Sequence, residues 1–489
     1  MKLMKMKGGI RGLLRRGLAT GLAAAGLWLG AAGAEDALLT KTEAEKGTLL
    51  GRARYNGAVV TGFEHQGDGV QVVLTVPEAG HYDVVVRQAS AGGGRKINPV
   101  EVNGQNVGDI TSPGSQWNDG VIEYVWMEQG ENTVSVMTSY GWINVDYIGV
   151  RKSQPIPADI YDVEPVLVNP NATQEARQLM TFLCDSYGSR VISGQQCQDG
   201  PFGLDNQAVG FRATGGTYPA LLGMDVGVYS PARIRAGQES QVIEHAIEHW
   251  EKHSGIVTLS WHWYSDEQYG SSFYADQTSF NLEKAMSGKD PAGYQMLLDG
   301  IDAISAQLLR LQEAGVPVLW RPLHEASGGW FWWGASGPEP YLELYKLMFD
   351  RMTNHHGLNN LIWVWNGQDA AWYPGDAYVD VIGEDIYPGE RVYTSQAARF
   401  IRALGYTDAR KIIALTENGC IPDIELLARD NVMWAWWCTW EGDFVLKSKG
   451  FNAYSEQYTE KAMVRKVYKD ERVVTRKNLP DLKVYPLGE

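Results

Sequence analysis

Val316-Pro-Val-Leu-Trp-Arg-Pro-Leu-His-Glu325 is apolar along most of its length and ends on a carboxylate. A second run, Ile412-Ile-Ala-Leu-Thr-Glu417, has the same form. Short apolar runs separated by helical segments read as strands buried on both faces of a parallel sheet. In a (β/α)8 barrel, the C-terminal ends of the strands carry the chemistry. Two carboxylates at two such ends are the minimum equipment for cleaving a glycosidic bond.

Outward from these two runs, further strand candidates lie at 191–196, 218–228, 255–263, 361–366, 379–387 and 431–440. Helical periods separate them, as in Ile301, Ile304, Leu308 and Leu311. Together with 316–325 and 411–417 they make eight strand–helix units, the count that closes a TIM barrel rather than an open sheet. Glu325 then ends the fourth strand and Glu417 the seventh. These strands face one another across the barrel mouth, so their carboxylates can flank one bond. A retaining mechanism needs one carboxyl to hold a proton and the other to stay ionised, about 5–5.5 Å apart. Glu325 lies beside His324 and Trp330, a less polar setting that favours the protonated form. Glu417 lies beside Asn418, and Tyr387 in Asp385-Ile-Tyr387 is a candidate hydrogen-bond donor to it. Trp330, Trp332, Trp333, Trp434, Trp436, Trp437 and Trp440 cluster after these runs. Flat aromatic faces suit the apolar faces of sugar rings, and the bland alternative for each is the barrel core.

The rest of the 489 residues divides readily. Residues 1–34 read as a secretory signal: basic Lys2, Lys5, Lys7, Arg11, Arg15 and Arg16, an apolar stretch over 18–29, and Ala32-Gly33-Ala34 as the cleavage site. Residues 35–151 alternate with period two, as in Val70, Val72, Leu74 and Val76. With the Asn103-Gly104 turn, this predicts an all-β sandwich of jelly-roll type. Residues 152–172 are rich in proline and read as a linker. Residues 173–489 form the barrel. The formal charge of −15 argues against nucleic acid as a partner. No segment predicts a membrane span. A secreted monomer is expected. The four cysteines contain no Cys-x-x-Cys; export permits a Cys184–Cys197 disulfide, and free buried thiols are the alternative. His245 and His249 have a metal-ligand spacing but lack the His-Glu-x-x-His order, so a solvated helix face is expected there. His355-His356 reads as surface. Asp225 ends a strand and either lines the cleft or anchors the first loops.

Arg321-Pro-Leu-His-Glu325 followed by Gly329-Trp-Phe-Trp-Trp-Gly334 resembles the acid/base signature of glycoside hydrolase family 26, most of whose characterised members are endo-β-1,4-mannanases. Ser193-Gly-Gln-Gln196, Gly223-Met-Asp-Val226, Ser260-Trp-His262, Ile362-Trp-Val-Trp365 and Glu417-Asn-Gly extend the resemblance. It implies a double displacement with Glu325 as acid/base and Glu417 as nucleophile. Arg321, His262, His324, Trp330, Tyr387, Trp440 and Trp437 are implied as substrate-binding residues, with Trp436 and Trp437 competing with Trp440 as sugar platform. The expected substrate is β-mannan or manno-oligosaccharides, and no cofactor is expected for the chemistry. The alternatives are β-1,3-xylan or mixed-linkage glucan, exo-acting release of mannobiose, and a glycan-binding protein without activity. Residues 35–151 resemble a family 35 carbohydrate-binding module through Glu43-Ala-Glu45 and Gly141-Trp-Ile-Asn-Val-Asp146. That resemblance implies Glu43, Glu45 and Asp146 as ligands of a structural calcium ion, with Trp142 and Asn144 at a sugar site and Trp117 as a further candidate.

Overall fold

In the computed structural model, eight parallel strands close into a barrel in simple chain order. They are Gly194–Gln196, Leu221–Asp225, Ile256–Ser260, Val318–Arg321, Leu361–Trp365, Val381–Ile386, Ile412–Asn418 and Trp437–Thr439. The structure describes residues 37–139, 141–198, 205–447 and 453–487; the candidate signal at 1–34 lies outside them. All eight predicted strands are found, with trimmed ends. In the first unit only Gly194–Gln196 belongs to the barrel, because Val191–Ile192 pairs instead with Val473–Val474. Closure depends on Gly194: a Cβ there would lie 2.4 Å from the Trp437 carbonyl oxygen, so only glycine lets the first and eighth strands meet.

Strand registers position the site. Leu415 pairs with Glu384, but beyond a one-residue shift Asp385 lies opposite Glu417. Such a bulge re-aims side chains locally. Outside the barrel, Pro291–Glu313 is the longest helix. Its N-cap Asp290 accepts from Gly293 N–H at 2.9 Å, Pro291 occupies the first turn, and Ile301, Ile304, Leu308 and Leu311 are buried, as their spacing predicts.

The N-terminal module is a sandwich of two antiparallel sheets. One contains Gly69–Val76, Gly130–Met137, Lys96–Val102 and Gln105–Ser112; the other is centred on Ile143–Lys152 and Gly80–Ser90. Val70, Val72, Leu74 and Val76 are buried between the sheets, whereas Val73 faces outward. The proline-rich segment after the sandwich is not a free tether. Ile160 and Leu167 are buried in the barrel's core cluster, and the Tyr161 hydroxyl donates to the Asn431 carbonyl at 2.7 Å. Module and barrel also touch directly: His81 Nε2 lies 3.0 Å from Asp430, and the Arg429 guanidinium lies 4.7 Å from the centre of the Trp126 ring.

Two expectations change. The four cysteines are thiols, so Cys184 and Cys197 are not joined. His249 is buried rather than solvated, facing the Ala220 carbonyl at 3.4 Å, and burial pushes its pKa down to about 3. His356 does lie near the surface, 2.6 Å from Asp302. Among the described residues, no helix is long and apolar enough to cross a membrane.

Candidate active site

Glu325 lies four residues beyond the end of the fourth strand at Arg321, on a loop rather than in the strand. Both Leu323 and Glu325 have φ of 53°, a left-handed backbone that costs a side-chain-bearing residue about 1 kcal/mol or more. The Glu325 amide donates to the Asn366 carbonyl at 2.8 Å, which holds the strained loop. The chain then folds back so that Trp330 Nε1 donates to Glu325 Oε2 at 3.0 Å. Gly328 permits this, since a Cβ there would lie 2.1 Å from the Trp330 ring. Trp330 is 48% exposed, whereas Trp332 and Trp333 are core residues.

Glu417 lies within the seventh strand and is buried. The Tyr387 hydroxyl donates to its Oε2 at 2.6 Å, and Arg321 Nη2 contacts its Oε1. The other terminal nitrogen of Arg321 donates to Asp385 at 3.0 Å and to Asn366 at 3.1 Å. Thr416 Oγ1 donates to the second Asp385 oxygen at 2.6 Å. One oxygen from each of Glu325, Asp385 and Glu417 lies within 4.8 Å of the others.

Three carboxylates thus crowd around one buried guanidinium that touches two of them, and they cannot all be ionised cheaply. Glu325 is the member that Arg321 does not touch. Burial first, and the charge of Glu417 second, raise its pKa to about 7. It is the natural proton holder, while Glu417 accepts from two donors, Arg321 and Tyr387. Burial, together with Glu417 and Glu325, also raises Asp385 against the pull of Arg321. The same three oxygens are the sole set of this kind among the described residues that could enclose a metal ion. Arg321 places a cation against two of the three, Asp385 and Glu417.

His262 and His324 form the wall opposite. His262 Nδ1 lies 2.8 Å from Asp225 Oδ2, and its Nε2 lies 3.3 Å from His324 Nε2. Asp225 is fixed in turn by Ser260 Oγ at 2.9 Å and Gly227 N–H at 2.7 Å. Burial pulls His262 down, but Asp225 outweighs it and the net pKa is raised. Burial, Arg321 and His262 push His324 far below the usual range, so His324 stays neutral. The Trp440 ring lies 6.0 Å from His262, edge-on, and is partly exposed at the mouth.

Trp437 does not join this group. It is fully buried, packing edge-on against Tyr468, and Trp436 is buried as well. Neither can offer a face to a sugar, and of the three only Trp440 is exposed at all. Asp385, Asn366 and the Asp225–His262 pairing were not singled out from the sequence for these roles. Asp225 carried a signal as an acid at a strand end, and Asp385 carried one by lying two residues before Tyr387.

The model of glycosyl hydrolase family 26 matches residues 168–478, which contain every residue of this cluster. The chain belongs to glycosyl hydrolase family 26. A model of carbohydrate-binding module family 35 matches residues 31–153, so this family 26 hydrolase carries a family 35 module. It is 37% identical to a mannan endo-1,4-beta-mannosidase of Thermothelomyces thermophilus, over 90% of this chain and 89% of that one. It is 34% identical to mannan endo-1,4-beta-mannosidase A of a Piromyces species, over 90% and 73%. Among solved structures it resembles a GH26-CBM35 beta-(1,4)-mannanase of Podospora anserina, at 33% identity and a TM-score of 0.62, over 91% of this chain and 99% of that one.

In the module, Trp142 is 55% exposed, with φ of 61°. Asn144 is partly exposed two residues along the strand, and Trp117 is 39% exposed. Glu43 lies opposite Tyr147, the neighbour of Asp146, so two of the three expected calcium ligands occupy adjacent strands. Glu43 is paired with Lys41 at 3.0 Å, and the oxygens of Glu43, Glu45 and Asp146 do not gather as closely as those of the barrel cluster.

Proposed function

We propose that this family 26 hydrolase is a retaining endo-β-1,4-mannanase. Oxygens of Glu325 and Glu417 within 4.8 Å of each other carry the retaining reading. That spacing leaves no room for the water an inverting enzyme holds between carboxyls about 6.5–9.5 Å apart. The mannan-degrading relatives, matched over nine-tenths of this chain, support the substrate.

In the first step a Glu417 oxygen attacks the anomeric carbon while Glu325 gives its proton to the departing glycosidic oxygen. The bond to the leaving sugar breaks and a glycosyl ester forms on Glu417. Glu325, now ionised, takes a proton from water, whose oxygen displaces Glu417 and releases the sugar with its β-configuration. Arg321 and Tyr387 hold Glu417 charged for attack, and they stabilise it again as it leaves. Trp330 places the leaving sugar, and His262, His324 and Trp440 wall the sugar being transferred.

A product profile on linear mannan, xylan, β-1,3-xylan and mixed-linkage glucan tests the reading. Mixed manno-oligosaccharides from mannan alone are expected; mannobiose alone would make the enzyme exo-acting, and cleavage of another glycan alone would overturn the substrate. Two further proposals accompany it. The basic-then-apolar start of the chain supports secretion, tested by finding the activity outside the producing cell. Adjacent Glu43 and Asp146 support a structural calcium ion, which would have to displace Lys41. A chelator then lowers the module's melting temperature and calcium restores it; unchanged melting removes the ion.

A further inference from the structure

The helix Ala397–Leu404 follows the sixth barrel strand. Phe400 and Ala403 are buried on its barrel side, with the Phe400 ring 5.0 Å from that of Trp434. Ala398, on another face, packs against the hydrophobic core of the module. Tyr124 of the module in turn belongs to the core cluster of the barrel. The two cores therefore meet at this helix. Its next residue, Arg399, reaches back into the barrel.

Arg399 takes no part in the proposed chemistry, yet it braces the supports of both reacting carboxyls. Its Nε and Nη2 lie 2.9 and 2.8 Å from Glu384 Oε2. Glu384 is fully buried, and Arg402 and Tyr406 also donate to it, at 3.0 and 2.6 Å. The register shift between the sixth and seventh strands falls immediately after Glu384, and this shift sets Asp385 opposite Glu417. Thr416 is the extra residue, with its Oγ1 3.2 Å from the Glu384 carbonyl. The ladder is locally disrupted at such a shift, so a pinned side chain beside it holds the strand in place.

The Glu325 side of the site rests on the same guanidinium. Arg399 Nη2 donates to Gln368 Oε1 at 2.7 Å. Gln368 has φ of 61°, a conformation that a side-chain-bearing residue keeps only where its surroundings impose it. The two residues before it carry the Glu325 loop. Glu325 N–H donates to the Asn366 carbonyl at 2.8 Å, and Ser327 N–H donates to the Gly367 carbonyl at 3.2 Å. A rigid fork of donors can join two such partners, whereas the ammonium of a lysine is a single point.

Resting on the two-carboxylate reading, we infer that Arg399 is a positioning residue that sets the placement of Glu325 against Glu417, and that the docked module holds Arg399 in place. Asp109 of the module supports the second part: partial desolvation raises its carboxyl, and the charges of Arg399 and Arg402 pull against that. The module is then a part of the catalytic scaffold.

Full-length Arg399→Ala, Arg399→Lys and Ala398→Gln, compared with the wild type on mannan across pH, test this. Arg399→Ala should lower kcat per folded molecule about 10- to 100-fold, the size of one hydrogen bond to a charged group, with KM within about twofold. Arg399→Lys, which keeps the charge beside Glu384 but not the fork, should show a smaller loss of the same kind and serves if the alanine variant does not fold. In both, the fall in rate that the wild type shows through about pH 7 should move to lower pH, because a wider separation from Glu417 or better solvation lowers the pKa of Glu325. Ala398→Gln, which wedges a polar side chain under the module, should give the same pattern in smaller measure. Arg399 variants with a lowered melting temperature but an unmoved pH profile would make Arg399 merely structural and overturn the inference, as would unchanged kinetics. Wild-type kinetics in Ala398→Gln would remove the module from it. The wild type and Glu417→Ala are the controls: substantial activity in Glu417→Ala refutes the two-carboxylate reading itself, whatever Arg399 does.

Discussion

Replacing Glu417 with Gln should lower the pKa of Glu325, and the size of the drop can be worked from the cluster. Two full charges 4.8 Å apart interact by about 3.5 kcal/mol at an effective dielectric of about 20, which equals about 2.5 pKa units. Each carboxylate spreads its charge over two oxygens, and Arg321 lies against Glu417 and offsets part of the field. About half the figure should survive, a fall of 1 to 2 units from a starting value of about 7. Burial, the larger cause, keeps the final value above that of an ordinary glutamate. Glu417→Gln is inactive in the proposed mechanism, so the titration is read directly from the carboxyl carbon of Glu325 by NMR in labelled protein. A Glu325 that still titrates near 7 in the variant would show that the two carboxyls do not sense each other, and the charge of Glu417 would not be a cause of the raised value.

Other consequences follow from the same geometry. Because Glu325 must be protonated to assist departure, kcat/KM on mannan should fall as pH rises through about 7, while substrates with activated leaving groups keep more of their rate; parallel pH–rate profiles check this. Tyr387→Phe removes a 2.6 Å hydrogen bond to Glu417 from a side chain that is 42% exposed. Activity should fall about 10- to 100-fold with little change in melting temperature. Trp437→Ala and Trp440→Ala should separate: the first empties a core position and costs about 3–5 kcal/mol in denaturant unfolding, whereas the second lowers kcat/KM on mannan by about tenfold with nearly native stability.

The barrel strands were legible because each is buried on both faces and therefore apolar throughout. The module was legible because one face of each strand is wet and its side chains alternate. Glu325 and Glu417 stood out as charges ending apolar runs. The Trp434–Trp440 run misled at Trp437, since the eighth strand is only three residues long. Side-chain direction there depends on where pairing stops, and composition does not reveal that. Arg321 lay in a recognisable motif, yet its task depends on a register shift that puts Asp385 opposite Glu417, and no local pattern encodes such a shift. His249 looked like a surface residue because its helix has charged neighbours, but it faces the barrel.

The most direct test of the double displacement on mannan is proton NMR of mannohexaose during the first minutes of hydrolysis, with product lengths read from the same samples. The account predicts that the new reducing ends appear first as β-anomers and that products of several lengths form together. New ends appearing first as α-anomers would mean inversion, and would contradict the roles given to Glu325 and Glu417.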